Sequence, residues 1–273
     1  MTSMKFGLLE FADWRSLAVL RRNARVYLRN WRTAFFPPAM EPLVYFAAFG
    51  LGLSGYVDNL HWRGRALPYT TYVAPGLVAY AAFNTSFYEA LYSSYVRMFY
   101  QKTWDGILGT QVELRHIVWG EVLWAGSRAF MNTSFVALAL ALVHALGLVH
   151  LRLEVLPLLP LLGVFAGWAF AAFGLIFTAV VPSIDHMNYP VFLIGIPIAL
   201  LSNTYFPVPT HNPWVGAIAQ LNPVFHLSET LRSLLVDGEL GPSFLPWLLS
   251  TTAALLLFIA SAQYLIHRRL LRK

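Results

Sequence analysis

The chain of 273 residues contains no cysteine. Disulfides, thiol nucleophiles and cysteine-ligated metals are therefore excluded. Charge is also scarce: 12% of residues are Asp, Glu, Lys or Arg, where a soluble domain carries about 25%. No G-x-x-x-x-G-K-[ST] phosphate loop occurs and no dinucleotide-binding site is expected, so the chain should not hydrolyse ATP by itself. No H-E-x-x-H motif is present and the eight histidines are dispersed. His144 and His150 read as ordinary interfacial histidines rather than metal ligands. Repeats of about 20–50 residues are missing, as are low-complexity tracts. The first 33 residues are basic and amphipathic, without a short apolar core and small-residue cleavage site, so no cleavable signal peptide is expected.

What is present is apolar: 58% of residues are hydrophobic and 15% aromatic. The apolar residues fall into six segments, at about 34–56, 72–95, 117–148, 155–181, 189–205 and 244–266. Crossing a bilayer core as a helix takes about 20 residues. The pattern predicts an all-α membrane protein of six spans, the fifth being the shortest and the third long enough for one end to leave the bilayer. The net charge of +6 suits a membrane margin better than nucleic acid. Fourteen of the 19 basic residues lie at the chain ends and near 97–115; Arg63, Arg65, Arg152 and Arg232 fall on the opposite side and Arg128 within the third segment. The positive-inside rule then puts both termini in the cytoplasm.

Ahead of the first segment, Leu17, Leu20, Ala24, Leu28 and Trp31 recur at helical spacing, and Arg22, Arg25, Arg29 and Arg32 form a second stripe. Such a helix lies in the membrane interface, with arginines among headgroups. It serves as a topology anchor or also touches a cytoplasmic partner. Between the fifth and sixth segments, Pro207, Pro209, Pro213 and Pro223 break any single helix. Yet the stretch is too apolar for a solvated loop, and two short helices dipping into the outer leaflet over about 206–223 reconcile both facts.

Glu89, Glu121 and Arg128 are ionisable residues within or near the hydrocarbon, where such groups are costly and pair with one another. Glu121 and Arg128 share one helix face but lie about 10.5 Å apart along the axis, too far for direct contact. Glu89 on the second segment is a geometrically suitable partner for Arg128. An ion pair that fixes helix packing and a proton or ion path are both open readings. Glu41, beside Pro42, reads as a residue near the cytoplasmic interface. Tyr45, Phe46 and Phe49 either pack or line a path for a lipid or a sugar.

Several motifs carry a resemblance. Tyr72-Val73-Ala74-Pro75-Gly76-Leu77 resembles the start of the second span in ABC-2 transporter permeases. The run Arg97-Met98-Phe99-Tyr100-Gln101-Lys102-Thr103-Trp104-Asp105-Gly106 is similar to the cytoplasmic loop of the nodulation-factor (NodJ-type) exporter permeases, and Gly120-Glu121 with Arg128 to its continuation. Tyr205-Phe206-Pro207-Val208 and Leu221-Asn222-Pro223 through Leu231-Arg232 also match the pattern, so nearly the whole chain is covered in order.

The resemblance implies an interfacial helix over 1–33 and a six-span domain over 34–273 of the type V exporter kind. It implies a coupling loop at about 97–116 and a re-entrant outer hairpin before the last span. Two permease subunits, as a homodimer in the simpler case, would work with two separate ATPase subunits that bind ATP and Mg, while this chain binds no cofactor. Arg97, Tyr100, Gln101, Lys102, Thr103, Trp104 and Asp105 would meet the ATPase, with Tyr100 and Trp104 as buried anchors. Asp185 and His186 form a second candidate contact and the N-terminal helix a third. The cargo implied is a lipid-linked or amphipathic glycan moved outward across the inner membrane. A drug or small-lipid exporter of the same superfamily is the alternative, and an ion-coupled secondary transporter using Glu89, Glu121 and Arg128 a more distant one.

Overall fold

The chain is described here from a computed structural model, which covers residues 12–57, 59–209 and 212–271. Lys5, Arg272 and Lys273, of the predicted cytoplasmic ends, lie outside them.

Helix α1 (Trp14–Arg29) begins where the Asp13 side chain caps the Arg15 amide at 2.8 Å. It has three faces rather than two. Leu17 and Leu28 are exposed, as an interfacial helix requires, and so are Arg25, Arg29 and Arg32. Ser16, Val19, Asn23 and Tyr27, spaced three or four apart, are buried against the bundle. Arg22 departs from the predicted headgroup stripe and turns inward, its Nη2 donating to Thr103 Oγ1 at 3.3 Å. Burial, reinforced by the neighbouring Arg97 charge, lowers its pKa from the usual guanidinium range.

Only Asn30 separates α1 from α2 (Trp31–Tyr45), which continues as a π turn over Phe46–Leu51. Pro37, Pro38 and Pro42, at the expected entry of the first span, lie in the interior of α2. A hairpin follows, β1 (Leu60–Trp62) against β2 (Arg65–Leu67), with Leu60 opposite Leu67. Arg63 and Gly64 both have positive φ, 48° and 76°, as a two-residue primed turn demands. Gly50, Gly52 and Gly55 share the spacing of a dinucleotide fingerprint, but they stand at the end of a helix rather than between a strand and a helix, so the motif lacks its structural setting.

Helix α3 (Tyr69–Tyr88) runs on through π turns Glu89–Ser93 and Val96–Tyr100. It is the centre of the bundle, packing against α5 (Leu114–Ala145), α6 (Leu158–Val180) and α10 (Pro223–Asp237), while the short α4 (Thr103–Leu108) lies between α3 and α5. After α6 come the short pieces α7 (Asn188–Pro190) and α8 (Ile196–Leu200), joined by the π turn Val191–Gly195, then α9 (Pro213–Leu221), α10 and α11 (Phe244–Leu271). Helix α6 is faced with small buried residues, among them Gly163, Gly167 and Gly174, which let backbones approach closely where no hydrophobic effect drives association.

Among the described residues, four helices are long and apolar enough to cross a membrane: Trp31–Leu51, Leu114–Ala145, Leu158–Val180 and Phe244–Leu270. Helix α3 is 20 residues long but carries four tyrosines and Thr70, Thr71, Asn84, Thr85 and Ser86, so its apolarity falls short, although it is almost wholly enclosed. The predicted fifth segment corresponds to the shorter apolar stretch Ile184–Leu200. Of the two short helices expected over about 206–223, only α9 lies within that range. Asn222-Pro223 joins α9 to α10, with Asn222 capping the Val224 amide at 3.0 Å and proline in the first turn.

Candidate functional site

The π turns at the end of α3 bring Glu89, Ser94 and Arg97 against α5, and two carboxylates become hubs. Glu121, with its side chain 1% exposed, accepts from Arg97 Nε at 3.0 Å and from Arg97 Nη2. It also accepts from Ser94 Oγ at 3.0 Å, Trp104 Nε1 at 3.2 Å and Asn23 Nδ2 at 3.3 Å. Glu89 accepts from Trp124 Nε1 at 2.8 Å, Arg97 Nη1 at 3.0 Å, Ser93 Oγ at 3.1 Å and Arg128 Nη1 at 3.2 Å. The Arg128–Glu89 pair expected from the sequence is thus formed, and Glu121 and Arg128 make no direct bond. Arg128 also lies 4.5 Å from the Tyr27 ring centroid and donates to the Ala34 carbonyl at 3.1 Å. Two negative and two positive groups balance, and residues of α1 to α5 all take part. Buried charges are tolerated only with such pairing.

One contact sets how α1 joins this network. A Cβ on Gly120 would stand 2.4 Å from the Val19 Cβ, so only glycine lets α1 lie this close to α5 and bring Asn23 to Glu121.

The loop residues divide into two groups. Trp104 is fully buried and Arg97 nearly so, both committed to Glu121, which corrects their expected role as groups offered to a partner. The hydrogen-bonding capacity of Glu121 draws them in. The outward group is Tyr100, 62% exposed, with Gln101, Lys102 and Asp105; Thr103 is half-buried beside Arg22. Lys102 has a left-handed backbone, φ 52°, immediately before α4. Such a conformation costs a non-glycine residue roughly 1–2 kcal/mol and fixes a sharp change of direction. Asp185 and His186 are also exposed, with His186 Nδ1 2.7 Å from Ser183 Oγ. Their loop is tied to the end of α3 by the Tyr95 hydroxyl, which donates to the Pro182 carbonyl at 3.0 Å. Arg269 of α11 caps the last carbonyls of α6, Thr178 O at 3.0 Å and Ala179 O at 2.9 Å, while lying 4.2 Å from the Phe99 ring centroid. Both loops therefore border one end of the bundle.

The candidate path residues also separate. Tyr45 lines a cleft of ≈ 710 Å³ together with Tyr80, Asn84, Tyr88 and Arg128. Phe46 is buried in the core, and Phe49 packs on Tyr205 at 4.9 Å between ring centroids. Glu41 stands not at the start of the first candidate span but at its middle, the eleventh of the 21 residues of Trp31–Leu51. Its carboxylate accepts from Tyr80 Oη at 2.9 Å and Asn84 Nδ2 at 2.7 Å.

A second buried network went unforeseen. Arg232, assigned from the sequence to an outer margin, is fully buried on α10. It donates to Glu229, to the Tyr72 carbonyl at 3.1 Å and to the Asn203 carbonyl at 2.6 Å, and stacks 3.9 Å from the Tyr72 ring centroid. Glu229 accepts in addition from Trp62 Nε1 at 2.8 Å and Asn203 Nδ2 at 2.9 Å. The Glu229-x-x-Arg232 spacing, one turn apart in an apolar run, was the available signal. Among the described residues no cluster of His, Asp and Glu is suited to holding a metal.

The sequence profile of the ABC-2 type transporter family matches residues 16–236. The chain is 31% identical to Nodulation protein J of Rhizobium leguminosarum bv. trifolii over 223 residues, covering 81% of this chain and 80% of that one. It is 29% identical to Nodulation protein J of Rhizobium meliloti (strain 1021), with 88% of each covered. Against the inner membrane transport permease YadH of Escherichia coli (strain K12) the identity is 24%, over 95% of this chain and 96% of the other.

Proposed function

The chain belongs to the ABC-2 type transporter family, a family of membrane transporter subunits, and we propose that it is the permease subunit of an ATP-driven exporter carrying an amphipathic or lipid-linked glycan outward across the inner membrane. In this reading α3 and the 188–200 stretch complete six spans, α9 and α10 form the outer re-entrant pair, and both termini are cytoplasmic. Two copies of the chain pair with two separate ATPase subunits, which bind ATP and Mg.

The observation that carries the reading is the build of α4. Its buried side, Trp104, is bonded to the carboxylate of a membrane helix, while Tyr100, Lys102 and Asp105 at its start are turned outward. A partner that presses on the exposed side moves Glu121, and with it α1, α3 and α5. ATP binding on the partner supplies the differential stabilisation that any two-state switch requires. The glycan is favoured by the relatives' likeness to nodulation exporters and by a cleft lined with tyrosines rather than with aliphatic residues. An ion-coupled mechanism fits less well, since Glu89 and Glu121 are neutralised by Arg97 and Arg128.

The test is co-expression with the candidate ATPase in lipid nanodiscs, reading copurification and vanadate-sensitive ATP hydrolysis. Tyr100→Ala/Lys102→Glu alters only exposed groups and is expected to abolish both while leaving the permease folded. Copurification unchanged by that variant would remove the loop from the contact. ATP-dependent movement of a small lipid but not of a glycolipid would replace the cargo.

A further inference from the structure

Glu41 sits at the middle of Trp31–Leu51, a helix long and apolar enough to cross a membrane, and its two described partners, the Tyr80 hydroxyl and the Asn84 amide, are both neutral. A carboxylate offers about four acceptor positions, so two donors leave capacity unfilled on a group that is expensive to hold in hydrocarbon. The surface facing it is unusual for α3. From Tyr69 to Leu91 every residue is buried except Tyr80, Asn84 and Tyr88, and Tyr92 continues the series. Four residues make a rise of about 6 Å, so the helix presents a ladder of polar and aromatic groups along the cleft. Tyr88 and Tyr92 lie nearly parallel, 19° between planes and 6.2 Å between centroids, side by side rather than closed into a box. At the inner end stands Arg128, its charge balanced by Glu89.

We infer that this cleft is the binding site for the sugar portion of the cargo, with Glu41 accepting hydrogen bonds from its hydroxyl or amide groups and the tyrosine ladder stacking on its ring faces. The inference rests on the proposed glycan-exporter reading and adds the site to it. The cleft's volume of ≈ 710 Å³ falls in the range of small-molecule sites, roughly 300–1,000 Å³. An anionic headgroup would meet Glu41, and a cation would meet Arg128 without the closed aromatic cage that favours it. A neutral polyhydroxylated chain meets neither obstacle and matches an open row of rings.

The natural lack of cysteine permits a direct test. Tyr88→Cys, co-expressed with the ATPase in nanodiscs, is treated with a sulfonate-bearing methanethiosulfonate, and the rate of modification is followed. Tyr92→Cys, one turn further on, serves if the first variant folds poorly. Hexyl β-maltoside is the neutral glycoside probe and hexyltrimethylammonium the cationic control of equal chain length. Modification is expected, and hexyl maltoside is expected to slow it. Adding Glu41→Gln should raise the maltoside concentration needed by about tenfold, the loss of one charge-assisted hydrogen bond. A thiol that never reacts, a rate unaffected by maltoside, or an unchanged requirement in Glu41→Gln would overturn the site. Protection by the ammonium probe alone would make it a cation site instead. ATPase copurification is read in the same samples. If it persists while protection fails, the cleft assignment falls and the exporter reading stands. If copurification fails while maltoside protects, the exporter reading falls and the sugar site stands.

Discussion

Trp104 of α4 and Glu121 of α5 are joined by a single hydrogen bond of 3.2 Å from indole to carboxylate, and it is the only direct bond from the α4 side chains into the Glu121 network among the described residues. This contact links the exposed loop to the interior of the bundle. Trp104→Phe keeps a ring in place and removes only the donor. The loss of a hydrogen bond to a charged group costs about 1.5–3 kcal/mol. The unfolding midpoint in detergent should fall modestly, while ATP hydrolysis by the assembled complex loses its dependence on cargo. Unchanged cargo stimulation would show that the bond holds the loop without transmitting anything.

Glu121→Gln leaves Arg97 with Glu89 as its one anionic partner and unbalances the buried charges. Breaking one side of a buried pair costs about 3–5 kcal/mol. The single variant is expected to accumulate poorly in the membrane. Arg97→Gln combined with Glu121→Gln should recover part of the loss, and a double-mutant cycle on thermal unfolding measures the coupling. Additive losses would mean that the two groups act independently.

Gly120→Ala sets a methyl group against Val19. Overpacking of this kind costs about 1–3 kcal/mol. The expected outcome is displacement of α1, read as faster proteolysis near its ends. Val19→Ala keeps the clashing Cβ, so the rescue is sought with Val19→Gly in the same chain and is expected to be partial, the Ser16 carbonyl remaining 2.9 Å away. Failure of rescue would place the strain elsewhere.

Arg232→Lys keeps the charge but loses the planar fork that reaches Glu229, Tyr72 and Asn203 together. The substitution is expected to lower the unfolding midpoint nearly as much as Arg232→Met. A midpoint equal to that of the unaltered chain would show that charge alone suffices.

Much of the architecture was legible in the sequence. Long apolar runs located the helices of the four candidate spans, and the cost of ionisable groups in hydrocarbon pointed to Glu89 pairing with Arg128. The rest depended on three-dimensional neighbours. Trp104 and Arg97 looked like surface groups because their stretch is polar, and nothing in the local pattern reveals that Glu121, one element later, turns them inward. Glu41 was misplaced because prolines were read as the edge of a helix, whereas α2 carries them through its interior. Arg232 was counted with the margins; apart from Glu229 on its own helix, its partners come from α3 and the 201–209 loop, far apart in the chain.

The path of α2 has a further consequence. In an α-helix the Ala34 carbonyl would receive the amide of residue 38, but Pro38 has none. Arg128 supplies the donor from α5 instead, at 3.1 Å, with the same guanidinium that neutralises Glu89. A freed carbonyl of one helix and part of the charge balance of Glu89 therefore rest on a single side chain. A rearrangement that withdraws Arg128 leaves Glu89 to Arg97, Trp124 and Ser93 and takes the donor from the Ala34 carbonyl at the same moment, so α2 and the end of α3 are coupled through one guanidinium.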